Sequence, residues 1–298
     1  MTKEREGEWL MVGSALFESW FPIFSISAMA YVGALHTYAY SLVVALVFFL
    51  LIMYRRERYG ELRNKQAYPD LLWTTFWITT LFILIFIGMR YTTAGNMAVI
   101  IFLQLFFSYL YFNVFGKEEM HKLHLWGALL MGIGAMVILF PENMLFNRGD
   151  ILILTAAAIA PLANLYQKRA RDYCSSETIL AFRTVLGLPV VAMMACFLEP
   201  AVSMEMFKNA LPYLFLIGTV VYVGSKILWI EALHRTSITK VSAMMGLMPV
   251  MTIIFAYFYL DEVPQLRQIV GIIPVIIGGY LLTRPLTMQR GKDTTFKG

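Results

Sequence analysis

Glu18, Arg183, Lys226 and Glu231 are ionisable side chains set within long apolar runs of this 298-residue chain. A charge in hydrocarbon is costly and is kept where it meets a partner, a proton or a cargo. Glu18 falls near the middle of its run, ~15 Å deep at the helical rise per residue. Pro22, four residues on, has no N–H, so the Glu18 carbonyl loses its usual helical donor. A carboxylate and a bare carbonyl then meet at one level, which suits proton or cation binding, or contact with a substrate ammonium. The bland alternative is a structural carboxylate paired with a nearby cation. Lys226 lies at a similar depth, ~12 Å from its end of the run, with Tyr222 and Trp229 on its helical face. Glu18 and Lys226 form either the two poles of a site for a zwitterion or a pair that neutralises itself. An internal pair that opens for substrate would do both. Arg183 and Glu231 sit nearer a membrane surface, where long side chains snorkel, and their expected role is a latch or structural ion pair. The uncharged polar candidates are Asn96, Gln104 and Asn164, with His36 near one interface. Buried amides often only join helices; Gln104, near mid-run, is the one best placed for a cavity hydrogen bond.

The elements that must position these side chains follow from composition. The chain is 59% hydrophobic and 14% charged, with a mean hydropathy of +0.67, too few charges to cover a soluble protein of this length. Apolar runs at 9–28, 33–53, 70–89, 95–115, 123–140, 150–167, 178–198, 211–233, 239–260 and 266–283 are each long enough to cross a bilayer. The expectation is an all-α polytopic membrane protein with ten transmembrane helices. Of the 24 Lys and Arg residues, only Arg90, Arg148, Lys208 and Arg267 fall on one side of that arrangement. Arg183 and Lys226 lie inside spans, and the rest, from Lys3 through Arg55, Lys117, Arg169 and Arg235 to Lys297, fall on the other side. The positive-inside rule then puts both termini in the cytoplasm and the protein in the cell membrane. The net charge of +5 thus records orientation, and no nucleic-acid partner is expected. No short apolar leader with a small-residue cleavage site opens the chain. Cys174 and Cys196 belong to different depths, so neither a disulfide nor a metal centre is expected.

Thr92–Met136 aligns without a gap on Thr236–Tyr280. Thr92 meets Thr236, Leu103 meets Leu247, Glu118 meets Glu262, Gly127 meets Gly271, Ile133 meets Ile277 and Gly134 meets Gly278. Each copy has a polar turn, an apolar span, an acidic turn and a second apolar span broken by glycines. Five spans per copy is odd, so residues 1–145 and 146–298 read as two inverted five-helix repeats. Such repeats are found in carriers that bind substrate between their halves, near the bilayer midplane. Glu118 and Glu262 read as caps or turn residues. The glycines allow close helix approach, which makes spans five and ten scaffold or a possible homodimer face.

These residues resemble the EamA type of the drug/metabolite transporter superfamily. Glu231-Ala232-Leu233-His234-Arg235-Thr236-Ser237 is similar to that family's entry to span nine. Leu247-Met248-Pro249-Val250-Met251-Thr252 is similar to the segment that follows. Leu260-Asp261-Glu262 with Gly271 and Gly278-Gly279 resembles its ending, and Thr178–Arg183 resembles its span-seven arginine motif. The first copy departs: Leu105 stands in place of the proline, Tyr40 in place of the arginine, and Phe21-Pro22 replaces a small-residue motif. The resemblance implies a ten-helix carrier and names no substrate.

A phosphate-binding Walker loop is absent, so ATP-driven transport is not expected. His121 and His124 lie near Glu118 and Glu119 at no known zinc spacing, and no cofactor is expected. There is no nucleophile elbow or hydrolase triad, so the chain is not expected to be an enzyme. A membrane-embedded lipid-modifying enzyme is the alternative, and within carriers one for nucleotide-like or cationic drug-like substrates. The preferred reading is a secondary transporter, an exporter or exchanger working by alternating access. Its cargo would be a small amphoteric metabolite such as an amino acid or an amine-bearing compound. The substrate- or ion-binding set is Glu18, Lys226, Gln104, Tyr222, Trp229, Asn164 and Asn96.

Overall fold

The computed structural model describes residues 3–114, 122–139 and 147–283, and these are helical apart from short turns. Span one is two helices, α1 (Lys3–Glu18) and α2 (Phe21–Val32). Spans two and three are α3 (Ala34–Arg55) and α4 (Tyr68–Met89). Span four is α5 (Ala94–Phe102) and α6 (Gln104–Tyr109), continued by a π-helical turn, Leu110–Val114. Spans five, six and seven are α7 (Lys122–Leu139), α8 (Arg148–Ala170) and α9 (Ser176–Leu198). Span eight runs α10 (Met204–Leu216), a π-helical stretch (Ile217–Ser225) and α11 (Lys226–Arg235). Span nine is α12 (Ile238–Met244) and α13 (Leu247–Leu260), and span ten is α14 (Leu266–Thr283). Among the described residues, 7 helical stretches are long and apolar enough to cross a bilayer, and Trp126–Ile138, Leu247–Leu260 and Leu266–Leu281 are shorter apolar helices.

Packing repeats the sequence symmetry. Span one packs on span eight, as span six packs on span three. Spans two and seven pack on each other, as do four and nine, and five and ten. Exchanging the two repeats maps each of these contacts onto another or onto itself. The breaks follow the same rule. At Leu103 the chain turns tightly, its N–H reaching Ile100 O at 3.0 Å. In span nine, one residue past the matched point Leu247, Met248 N–H reaches Met245 O at 2.9 Å. Each such turn is narrower than the α-helix on either side and offsets the two halves of its span.

Two expectations change here. The glycines of spans five and ten face each other within one chain. A Cβ on Gly278 would lie 2.5 Å from Gly127 O, and one on Gly134 would lie 2.6 Å from Gly271 O. The faces suggested for a homodimer are therefore covered inside the protomer, because close backbone approach needs both glycine surfaces. Span one also begins earlier than residue 9 and is interrupted. Pro22 at the start of α2 cannot donate inside a helix, and the chain breaks at Ser19–Trp20. Glu118, Glu119 and His121 lie outside the described residues, as do residues 140–146 between the two repeats.

Polar ties close each end of the bundle. At the lysine- and arginine-rich end, Glu61 accepts from Ser175 N–H and from the Ser175 and Thr178 hydroxyls, each at 2.7 Å. Arg56 pairs with Glu177 there. At the opposite end, Glu199 accepts from the N–H groups of Ala34, Leu35 and His36 at 2.8–3.1 Å. It thereby caps α3 across the two repeats. Gly33 has φ +84°, and a Cβ there would lie 2.8 Å from the Glu199 carboxylate. Glycine is needed at that position for both reasons.

Candidate functional site

A cavity of about 590 Å³, including its open mouth, lies between the two repeats. Spans one, three, four, six, seven, eight and nine all contribute to it. Three charged side chains line it: Glu18, Arg183 and Lys226. Gln104, Asn164, Gln167 and Trp229 add uncharged polar atoms, and Phe21, Ile78, Leu81, Phe82 and Met248 belong to its apolar wall.

The break in span one places Glu18. As the last residue of α1, it faces the end of the π-helical stretch of span eight, at Ser225 and Lys226. Such wide turns shift helix register and recur at functional sites. Lys226, directly after that stretch, donates from Nζ to Glu18 Oε1 at 2.6 Å. Ser225 Oγ donates to Glu18 Oε2 at 2.6 Å, and Ser225 and Ser14 hydroxyls lie 3.0 Å apart. Both carboxylate oxygens are thus engaged by span eight. Glu18 is 6% exposed. The Lys226 ammonium also lies over two rings, 5.4 Å from the Phe82 centroid and 5.8 Å from that of Trp229. Those ring faces add attraction for the cation. On the far side of the break, Thr252 of span nine donates to Ser19 O at 2.9 Å.

A second chain of hydrogen bonds crosses the cavity wall. Arg183 Nη1 donates to Gln167 Oε1 at 2.8 Å, and Gln167 Nε2 donates to Asn164 Oδ1 at 3.3 Å. Trp229 Nε1 donates to the same oxygen at 3.2 Å.

Of the expected residues, the fold brings Glu18, Lys226, Gln104, Asn164 and Trp229 together in this cavity, with Arg183. Tyr222 stands behind Phe82, its ring 5.5 Å away, and lines a smaller neighbouring cavity with Tyr38, Arg183 and Thr184. Asn96 is not in the cavity. Its Oδ1 accepts from Gln268 Nε2 at 2.8 Å, and its Nδ2 approaches Asp150 at 3.4 Å. It joins spans four, six and ten at the lysine-poor end. The expected Arg183–Glu231 pair does not form. Glu231 pairs instead with Arg171 at 2.9 Å and with Arg235, and accepts from Ser176. Glu231 lies beside Ser176, at the start of α9 and ahead of Arg183 in that helix, where Arg235 of the following turn and Arg171 from the loop before span seven reach it. His36, expected at an interface, is 7% exposed and lies 3.0 Å from Glu199. Glu262 caps as expected, accepting from Ala94 and Gly95 N–H, each at 3.0 Å.

Sequence reading missed Ser225, Gln167, Asp150, Glu61 and Glu199. Ser225 abuts Lys226, and Gln167 is one turn from Asn164, so helical spacing could have flagged both. The carboxylates at the ends act across long sequence separations and left no local signal.

The model of the EamA-like transporter family matches residues 5–140 and again residues 147–284. An uncharacterized transporter of Archaeoglobus fulgidus is 28% identical over 216 residues, covering 69% of this chain and 72% of that protein. An uncharacterized transporter of Synechocystis is 22% identical over 244 residues, covering 72% and 69%. A solved crystal structure has the same fold, with a TM-score of 0.69 at 14% identity over 93% of this chain and 96% of the other.

Proposed function

Because the chain belongs to the EamA-like transporter family, its model matching both halves, we propose that the cavity between the halves is the substrate site of a secondary transporter for a small amphoteric metabolite. The observation that carries this is the Glu18–Lys226 pair, buried at the break of span one and lining the cavity. A substrate ammonium competes for Glu18 and a substrate acid for Lys226. The pair thus opens when cargo binds and re-forms when it leaves. A purely cationic substrate suits Glu18 but leaves Lys226 without a partner, and a purely anionic one does the reverse.

Exchange or export by alternating access fits the two repeats, which rock about a fixed site in carriers of this kind. The units are residues 1–145 and 146–298, and the lysine- and arginine-rich end faces the cytoplasm of a cell-membrane protein. A homodimer through spans five and ten would have to use their outward faces, where Trp126, Leu129, Ile133 and Ile273 are exposed.

The test is flux. Protein reconstituted in liposomes is given a radiolabelled metabolite panel without ATP, spanning amino acids, amines and organic acids. Uptake of amphoteric compounds, accelerated by the same compound inside, is expected. No flux of any member of the panel would overturn the reading.

A further inference from the structure

The cavity holds more positive charge than its own residues balance. Glu18 is fully engaged by Lys226 and Ser225. Arg183 lines the same space, is 8% exposed, and forms no ion pair among the described residues; its bond is to the neutral Gln167. A buried guanidinium without a carboxylate is costly unless something supplies the anion.

The hydrogen-bond chain beside it states what is missing. Arginine and the indole N–H can only donate. Arg183 therefore fixes Gln167 with its oxygen toward the guanidinium and its NH₂ toward Asn164. Gln167 and Trp229 together then fix Asn164 with Oδ1 toward them. The amide cannot be turned over without setting donor against donor at two points. This leaves Asn164 Nδ2, buried and with no hydrogen-bond partner among the described residues, on a residue 4% exposed that lines the cavity. A stranded amide donor and an unpaired guanidinium, linked by one glutamine, want the same thing: an anionic acceptor.

We infer that Arg183 and Asn164 form a carboxylate subsite, and that the transported metabolite carries an acid group that docks there. This rests on the cavity being the substrate site. It sharpens the substrate class to a small carboxylic acid of net negative charge when amine-bearing, an acidic amino acid being the fitting type. Its ammonium and second carboxylate exchange with the Glu18–Lys226 pair, and its first carboxylate meets Arg183 and Asn164. Arg183 is then a specificity residue, and Gln167 a positioning residue that orients the amide.

The experiment pairs binding with flux. Purified protein is titrated with L-aspartate, L-asparagine, succinate and putrescine, reading thermal shift, and the same compounds are tried in liposome uptake. Aspartate is expected to bind, with asparagine weaker. Arg183→Gln should weaken aspartate roughly tenfold to a hundredfold, the range for a lost charged hydrogen bond, and Arg183→Lys should recover part of it. Asn164→Asp keeps the acceptor for Trp229 and Gln167 but puts an oxygen where Nδ2 stood. It should abolish aspartate binding and favour putrescine, and it serves where Arg183→Gln does not fold. Aspartate binding unchanged in both variants, or wild-type preference for asparagine or putrescine, overturns the subsite. Flux of uncharged or cationic compounds, untouched by Arg183→Gln, would keep the carrier and remove the subsite. Aspartate binding lost in the variants, with no flux of any compound in wild type, would keep the subsite and remove the carrier.

Discussion

Glu18 and Lys226 gain little net stability from each other, because removing two charges from water offsets their attraction. Breaking the pair is another matter, since it strands one charge in a buried site at about 3–5 kcal/mol. Lys226→Met is therefore expected to lower the melting temperature of the detergent-solubilised protein well below wild type. Glu18→Lys combined with Lys226→Glu should recover stability and some exchange lost in either reversal alone; a double variant no better than the singles would show that the contact is not energetically coupled. If Glu18 also carries protons, Glu18→Gln should abolish uptake driven by a pH gradient while exchange persists. The identities and approximate depths of these two residues were legible in the sequence, because charge within an apolar run is conspicuous. Arg183 was equally conspicuous, but its partner was not: sequence depth alone could not say that Arg171 and Arg235 would reach Glu231 first.

The helices themselves were readable from apolar runs, and their junctions only in part. Pro22 signalled trouble in span one, and the chain does break just before it. The π-helical stretch before Lys226 had no comparable residue signal, since it answers to packing between spans one, two and eight. At this scale the glycine seam of spans five and ten is testable. Gly278→Val would drive side-chain atoms into the Gly127 carbonyl and Met131, and overpacking of this kind costs about 1–3 kcal/mol. A clear loss of thermal stability is expected, whereas Gly132→Ala, with open space around it, should be tolerated. The loop carboxylate Glu61 gives a pH dependence. Burial raises its pKa, but donation from Ser175 N–H, the Thr178 and Ser175 hydroxyls and nearby Arg58 outweighs that and holds it below the usual carboxylate range. Its contribution is thus present above the ordinary carboxylate pKa and is lost as pH falls through the lowered value. Melting curves from pH 7 downward should show Glu61→Gln less stable at neutral pH and converging on wild type in acid.

The described residues are tied at both ends of the bundle, around the cavity between the repeats. Glu262 holds α5 from the turn after span nine, with Gln268, Asn96 and Asp150 beside it, while Glu231 gathers Arg171, Arg235 and Ser176 at the other end. The proposed alternating access would require such ties to loosen in turn. In a Cys196→Ser background, Met97→Cys places a probe in the cavity wall. Burial pushes the Cys174 thiol up to about 12, with the Glu61 carboxylate adding to this, so it stays inert at neutral pH. Glu262→Gln, which weakens a helix cap worth about 1 kcal/mol, should raise labelling by an impermeant maleimide roughly fivefold; an unchanged rate would mean this tie does not gate the cavity.

The sequence by itself determined the span count, the duplication and the charges within the spans, because hydropathy, repeat identity and buried ionisable residues are local properties. The spacing that sets Thr92 opposite Thr236 also sets apolar Phe82 opposite Lys226 and Leu162 opposite Glu18, so even the asymmetry of the charged pair was written there. The tertiary structure alone decided who meets whom. It bonded Glu18 to Lys226 across two hundred residues, sent Asn96 and Glu231 to opposite ends, and turned the glycine faces inward. It also left Arg183 bonded to a neutral glutamine and Asn164 Nδ2 with no hydrogen-bond partner among the described residues. Pairing depends on which helices pack and how their breaks rotate them, and that is a property of the assembled bundle rather than of any one span.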